Sequence, residues 1–83
     1  MILRHFYVTD DAREHILDKH AVDWDGAEDV LCQNLQLRRG RPGPRGEKRY
    51  YVEGATKSGR RLRVILALEP PNTARVITAY EVR

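Results

Sequence analysis

The sequence predicts an α+β domain in which two N-terminal helices pack on one face of a mainly antiparallel sheet, in the order β-α-α-β-β-β-β. Three observations predict it. Apolar residues recur at helical spacing in the first part of the chain and at a spacing of two from Leu35 onward. The later segments are joined by short runs of turn-forming residues, which link antiparallel neighbours. One face of the segment Arg60–Leu68 carries Leu62, Val64, Leu66 and Leu68 in unbroken alternation, an apolar surface that the helices must cover.

Ile2 to Val8 reads as a short strand, with Ile2, Phe6 and Val8 sharing one parity. Thr9 is an N-cap residue, and Asp10 and Asp11 follow in the first turn, where carboxylates suit the helix dipole. The helix runs to about Lys19, with Ala12, Ile16 and Leu17 as its candidates for burial. Ala21 and Val22 make a tight connection. Asp23 caps the second helix, whose Trp24, Ala27, Val30 and Leu31 lie at helical spacing. Gly26 weakens its first turn by about 1 kcal/mol relative to alanine. Cys32, beside this apolar stripe, is expected to be a small core residue.

Leu35 and Leu37 then alternate with polar residues. Gly40-Arg41-Pro42-Gly43-Pro44-Arg45-Gly46 must be a loop. Lys48–Thr56 is a strand, Lys57-Ser58-Gly59 a hairpin turn, and Arg60–Leu68 the next strand. Pro70-Pro71-Asn72-Thr73 turns the chain into a last strand, Ala74–Val82. With 83 residues and no linker, the whole chain is expected to be a single domain.

The charges are unevenly spread. Residues 1–33 carry Arg4, Arg13 and Lys19 against eight acidic side chains, whereas residues 34–83 carry twelve Lys or Arg against four Glu. A basic back half attracts nucleic acid or an acidic protein segment. The longest uncharged apolar stretch, Val64–Leu68, is far too short to cross a bilayer, so no membrane partner is expected. A lone cysteine and an N-terminus without a secretory pattern imply a reducing, cytoplasmic setting. His5, His15, His20 and Cys32 lack the spacing of metal ligands, so neither a metal nor another cofactor is expected. His15 and His20, five apart, are expected on different helix faces, with His20 capping the helix C-terminus.

Parity sorts the rest. Arg61 and Arg63 lie opposite the apolar stripe of their strand, and Arg49, Tyr51 and Glu53 share one parity on the strand before it. The bare side of the sheet should therefore gather cations around a carboxylate, with Arg38, Arg39, Arg41 and Arg45 along its edge. Metal-free RNA cleavage needs a base for the 2′-hydroxyl, cations for the charge growing on the phosphate, and an acid for the leaving oxygen. Arginine suits the second task because its planar fork matches phosphate oxygens. Glu53 or Glu47 is the candidate base, and Tyr51 or Tyr80 stacks on a base or donates a proton. A non-catalytic module that binds RNA or a protein with the same surface is the alternative.

Several motifs carry a family resemblance. Phe6 leads through a helix to Lys19-His20-Ala21-Val22-Asp23-Trp24; Glu47-Lys48-Arg49-Tyr50 enters a strand; Gly54 and Thr56 precede Ser58-Gly59-Arg60; and Arg75-Val76-Ile77-Thr78-Ala79 lies in the last strand. In order and spacing this resembles the BrnT family of type II toxins. The resemblance implies a RelE-like fold and an endoribonuclease that blocks translation. It also implies a cognate DNA-binding antitoxin of ribbon-helix-helix type, held in a hetero-oligomer with the toxin. Position by position it implies catalytic roles for Glu47, Arg49, Arg60 and Arg75, and an RNA contact for Lys19. Glu53 and Tyr80 join the catalytic candidates, and Arg38, Arg39, Arg61 and Arg63 the RNA-binding ones, from the reading of the residues themselves. Two positions depart from the family pattern: Ala21 stands where glycine is usual, and Tyr80 where arginine is usual.

Overall fold

The computed structural model describes residues 5–33, 36–69 and 73–82. Its elements are β1 (His5–Tyr7), α1 (Asp10–His20), α2 (Trp24–Leu31), β2 (Arg38–Arg39), β3 (Arg49–Ala55), β4 (Arg61–Glu69) and β5 (Thr73–Glu81). The strands form one sheet in the order β1-β5-β4-β3-β2. Ile2, Leu35 and the turn residues Pro70, Pro71 and Asn72 lie outside the described residues.

Strands β2 to β5 are antiparallel to their neighbours, but β1 runs parallel to β5, with Phe6 opposite Ala74. The sheet is therefore mixed. The cause is the helix pair. The two helices carry the chain across one face of the sheet, from the β1 edge to the β2 edge, α1 packing on β5 and α2 on β3 and β4.

Each helix is fixed at its start by the residue before it. Thr9 Oγ1 accepts from the Ala12 N–H at 3.2 Å, and Asp23 Oδ1 from the Gly26 N–H at 2.8 Å. At the end of α1 the chain turns through Ala21 at φ +53°. This lets the Ala21 and Val22 N–H groups reach the carbonyls of Leu17 and Ile16 at 3.1 and 3.0 Å and drops Val22 into the core. Backbone groups thus cap α1, rather than the His20 side chain. A left-handed alanine costs about 1 kcal/mol relative to glycine. Ala21→Gly is accordingly expected to stabilise the protein by about 1 kcal/mol and raise Tm by about 4–8 °C in a thermal melt.

The core joins both layers: Ile16, Val22, Ala27 and Val30 of the helical segment meet Leu62, Val64, Leu66, Val76 and Ala79, all at most 1% exposed. Trp24 packs at its margin with Phe6, ring centroids 6.2 Å apart. Two apolar expectations fail. Leu17 is 54% exposed, since the face of α1 turned to the sheet is centred on Ile16. Cys32 is exposed because α2 stops at Leu31 and the following turn carries the thiol outward.

In β5 the register shifts between the partners of Ile65 and Leu66: Leu66 pairs with Val76 and Ile65 with Thr78, leaving Ile77 as an extra residue. This bulge reverses the side-chain alternation of the strand. Val76 and Ala79 both face the helices, and Tyr80, which shares the parity of Ala74 and Val76, joins the opposite face beside Arg63.

Candidate functional site

The helices cover one side of the sheet, and the odd-numbered positions of β3 and β4 point to the other. Residues directly opposite on neighbouring strands lie side by side on one face, so the pairing register lays out this surface row by row. One row is Glu53–Arg63–Tyr80, from β3, β4 and β5. The next is Arg38–Tyr51–Ile65–Thr78. A third is Arg49–Ala67–Arg75, in which a small side chain separates two arginines.

Arg63 is the hub. Its Nε donates to Glu53 Oε1 at 2.6 Å, its Nη2 pairs with the same oxygen, and its Nη1 reaches Tyr80 Oη at 3.5 Å. The guanidinium lies 4.6 Å from the Tyr51 ring centroid and 6.0 Å from that of Tyr80, within the range of cation–π attraction. The Glu53 carboxylate, and after it the Tyr80 hydroxyl, raise Arg63 above the ordinary arginine range. Arg61 Nη2 stands 4.0 Å from Glu53 Oε2.

Beside this row is a basin of about 930 Å³. Ile65 and Thr78 lie in the sheet beneath it, Tyr51, Arg63 and Tyr80 line it, and Arg39 of β2 with Arg41 and Pro42 of the loop complete the lining. Arg49 lines it too. Arg49 Nε and Thr78 Oγ1 are buried with no hydrogen-bond partner among the described residues.

Each remaining candidate has a definite place. Glu47 accepts from the Arg49 guanidinium and from the Arg45 backbone N–H, both at 3.0 Å. Its own backbone N–H holds its carboxyl below the usual carboxylate range; desolvation, next in size, opposes this, and the Arg45 N–H and the Arg49 guanidinium add smaller lowering contributions. Arg75 shares the open face and stands 3.7 Å from Glu69. Arg60 is apart: on the helix side, it donates to the Ala21 carbonyl at 2.8 Å and pairs with Glu81 at 2.9 Å, tying β4 to the end of α1. Lys19 is exposed in the last turn of α1. Arg38 and Arg39 are exposed on the edge strand β2.

The parity reading missed His20. Strand β1 pairs only with Thr73–Arg75, and α1 packs against β5. The His20 ring thereby comes within 5.8 Å of the Tyr80 ring. His15 meets His20 edge-on, with ring centroids 5.5 Å apart, so the two histidines do not diverge. Five residues separate them by about 140° of helix rotation, which their side chains span at the end of the last turn. The Lys19-His20 motif was the one signal that pointed here. Among the described residues no group of three or more His, Cys, Asp or Glu stands close enough to hold a metal ion, and no helix is long and apolar enough to cross a membrane.

At the β1 edge, Tyr7 Oη donates to Glu69 at 2.7 Å. That bond to a carboxylate favours the neutral phenol and raises Tyr7 above its ordinary value of 10.0. A raised pKa means that this contribution is fully present below the unfolded value and is lost as pH rises through the folded one. An absorbance titration is expected to show one tyrosine ionising late, a component that Tyr7→Phe removes and Glu69→Gln shifts downward. A late component that survives Tyr7→Phe would assign it elsewhere.

The fold has a solved counterpart. Over 95% of this chain and 97% of the other, it superimposes on the crystal structure of the ribonuclease toxin BrnT of Brucella abortus with a TM-score of 0.65 and 15% sequence identity. No protein-family model and no curated protein sequence matches the chain. The protein is thus an α+β domain with a helix pair on one face of a five-stranded mixed sheet. Within that class its fold is BrnT-like.

Proposed function

We propose that this protein is a metal-independent endoribonuclease, the toxin of a type II toxin–antitoxin pair, acting on RNA in the cytoplasm to block translation. The observation that carries the reading is the row Glu53–Arg63–Tyr80, in which one guanidinium contacts a carboxylate on one side and a phenol on the other. Transfer of a phosphoryl group from the 5′-oxygen to the neighbouring 2′-oxygen is an in-line displacement, with the entering and leaving oxygens on opposite sides of phosphorus. A base and an acid flanking a cation suit that geometry.

In this reading Glu53 takes the proton of the 2′-hydroxyl, Arg63 stabilises the charge on the non-bridging oxygens, and Tyr80 protonates the 5′-oxygen as it leaves. Arg49 and Arg75, flanking Ala67, hold the adjacent phosphates. Arg38, Arg39, Arg61 and Lys19 extend the basic track, and Tyr51 offers a face on which a base stacks. Arg60, bonded to Ala21 and Glu81, supports the frame. The likeness to a ribonuclease toxin supports the class of activity and, with it, a neutralising antitoxin as protein partner.

The test is single-stranded RNA incubated with purified protein, with and without chelator. Fragments are expected in both cases, and Tyr80→Phe is expected to slow their formation by about 10²-fold. Salt-dependent binding without fragments would leave a non-catalytic RNA-binding module instead.

A further inference from the structure

Glu47 sits inside the loop rather than on the open face. Both of its carboxylate oxygens are engaged: Oε2 by the Arg45 N–H and Oε1 by the Arg49 guanidinium, each at 3.0 Å. The loop closes on the same residue through its backbone, since the Gly43 N–H donates to the Glu47 carbonyl at 2.9 Å. The Gly46 N–H donates to Gly43 and the Gly40 N–H to Arg49, also at 2.9 Å. Gly43 has an identifiable reason to be glycine. A methyl group there would overlap the Glu47 carboxylate and come within 2.8 Å of Arg49 Nε. The space of a side chain at position 43 is filled by the carboxylate of residue 47.

We propose that Glu47 is a positioning residue: its carboxylate is the peg on which the loop 40–46 is wound, and it sets the wall of the basin instead of moving a proton. A general base needs a lone pair facing the substrate. Both Glu47 oxygens are turned into the loop, one on the Arg45 N–H and one on the Arg49 guanidinium, whereas Glu53, though paired with Arg63, stands in the open-face row. The loop it shapes carries Arg41 and Pro42 to the rim of the basin, and the guanidinium it orients is that of Arg49. Glu47 therefore governs how RNA is held, while the chemistry proceeds on the Glu53–Arg63–Tyr80 row. The kinetic part of this inference rests on the nuclease reading; the loop part does not.

Three variants separate the roles. Glu47→Ala removes the peg. Gly43→Ala evicts it without altering it, since the added methyl displaces a flexible side chain. Glu47→Gln abolishes basicity but keeps an acceptor oxygen. Trypsin cleavage at Arg45–Gly46 reads the loop directly, because proteolysis follows local opening. For Glu47→Ala and Gly43→Ala, cleavage at Arg45 is expected to quicken about tenfold and KM for RNA to rise about tenfold, with kcat within about threefold of the parent. Glu47→Gln, which keeps one of the two acceptor oxygens, is expected to fall between the parent and Glu47→Ala in both. The opposite pattern overturns the proposal: kcat about 10²-fold lower or worse in Glu47→Gln, at unchanged KM and unchanged trypsin rate, makes Glu47 the base. A Gly43→Ala protein with parental trypsin rate and KM overturns it too. If the parent protein cleaves no RNA, the nuclease reading fails on its own, and the trypsin rates alone decide whether Glu47 holds the loop.

Discussion

Replacing Arg63 with alanine is expected to lower RNA cleavage by about 10²–10³-fold while the protein stays folded. The magnitude follows from what the side chain does. A fixed donor aimed at developing charge is worth about 3–4 kcal/mol when it is lost from a prepared site, and Arg63 is the only residue bonded to both Glu53 and Tyr80 among those described. Its guanidinium lies on the surface side of β4, with its side chain 34% exposed, so the core beneath is left alone. The variant frees Glu53 of its closest cation, with Arg61 still 4.0 Å away to limit the cost. Arg63→Lys is expected to recover charge but little rate, because an ammonium cannot reach carboxylate, phenol and phosphate at once. Initial rates on a labelled RNA, with circular dichroism as the folding control, check both variants. Cleavage by Arg63→Ala at the parental rate would remove this residue from the mechanism.

Leu66→Ala carries the largest expected effect on stability. Leu66 is fully buried in the middle of β4, between Tyr50 of β3 and Val76 of β5, in the cluster that joins sheet to helices. Truncating such a leucine costs about 2–5 kcal/mol, through lost burial and the cavity left behind. A domain of this size holds only about 4–12 kcal/mol in total. The substitution is therefore expected to move the urea midpoint down by at least about a sixth of its value, at an unchanged slope. A shift below about 0.5 kcal/mol would show that the two layers are not held by this contact. Ile65, next in sequence but on the open face, provides the contrast: Ile65→Ala is expected to cost less and to alter the basin instead.

The two substitutions probe the two faces of a single strand, and that strand is where the sequence is most legible. In β4 the alternation is unbroken from Arg61 to Leu66, so side-chain parity alone assigns Arg63 to one face and Leu62, Val64 and Leu66 to the other. The neighbouring β3 is equally regular, which places Glu53 beside Arg63. Legibility fails in β5. The residue inserted at Ile77 shifts the alternation, and nothing local in Arg-Val-Ile-Thr-Ala marks which residue is the extra one. Tyr80 reaches the open face only through that bulge. The edge position of β1 is hidden for a different reason: its pairing with β5 joins segments almost seventy residues apart, Phe6 with Ala74. No periodicity within either segment encodes it. Motif order, by contrast, names residues without orienting them. Arg60 and Arg75 are equal in the resemblance, yet the structure bonds Arg60 to the connection between the helices and puts Arg75 on the open face. His20 was legible as a motif residue and not as a neighbour of Tyr80, because that contact depends on where α1 ends relative to β5.

The chemistry of the cut ends tests the central claim most directly. If carboxylate, guanidinium and phenol drive attack by the 2′-oxygen, RNA cleaved in the presence of chelator will carry 2′,3′-cyclic phosphate and 5′-hydroxyl termini, readable by mass spectrometry of a defined oligonucleotide. An oligonucleotide with 2′-deoxyribose at the cut position will stay whole. Cleavage of that deoxy substrate, or products ending in 3′-hydroxyl and 5′-phosphate, would mean that water and not the ribose attacks, and the Glu53–Arg63–Tyr80 account would be wrong.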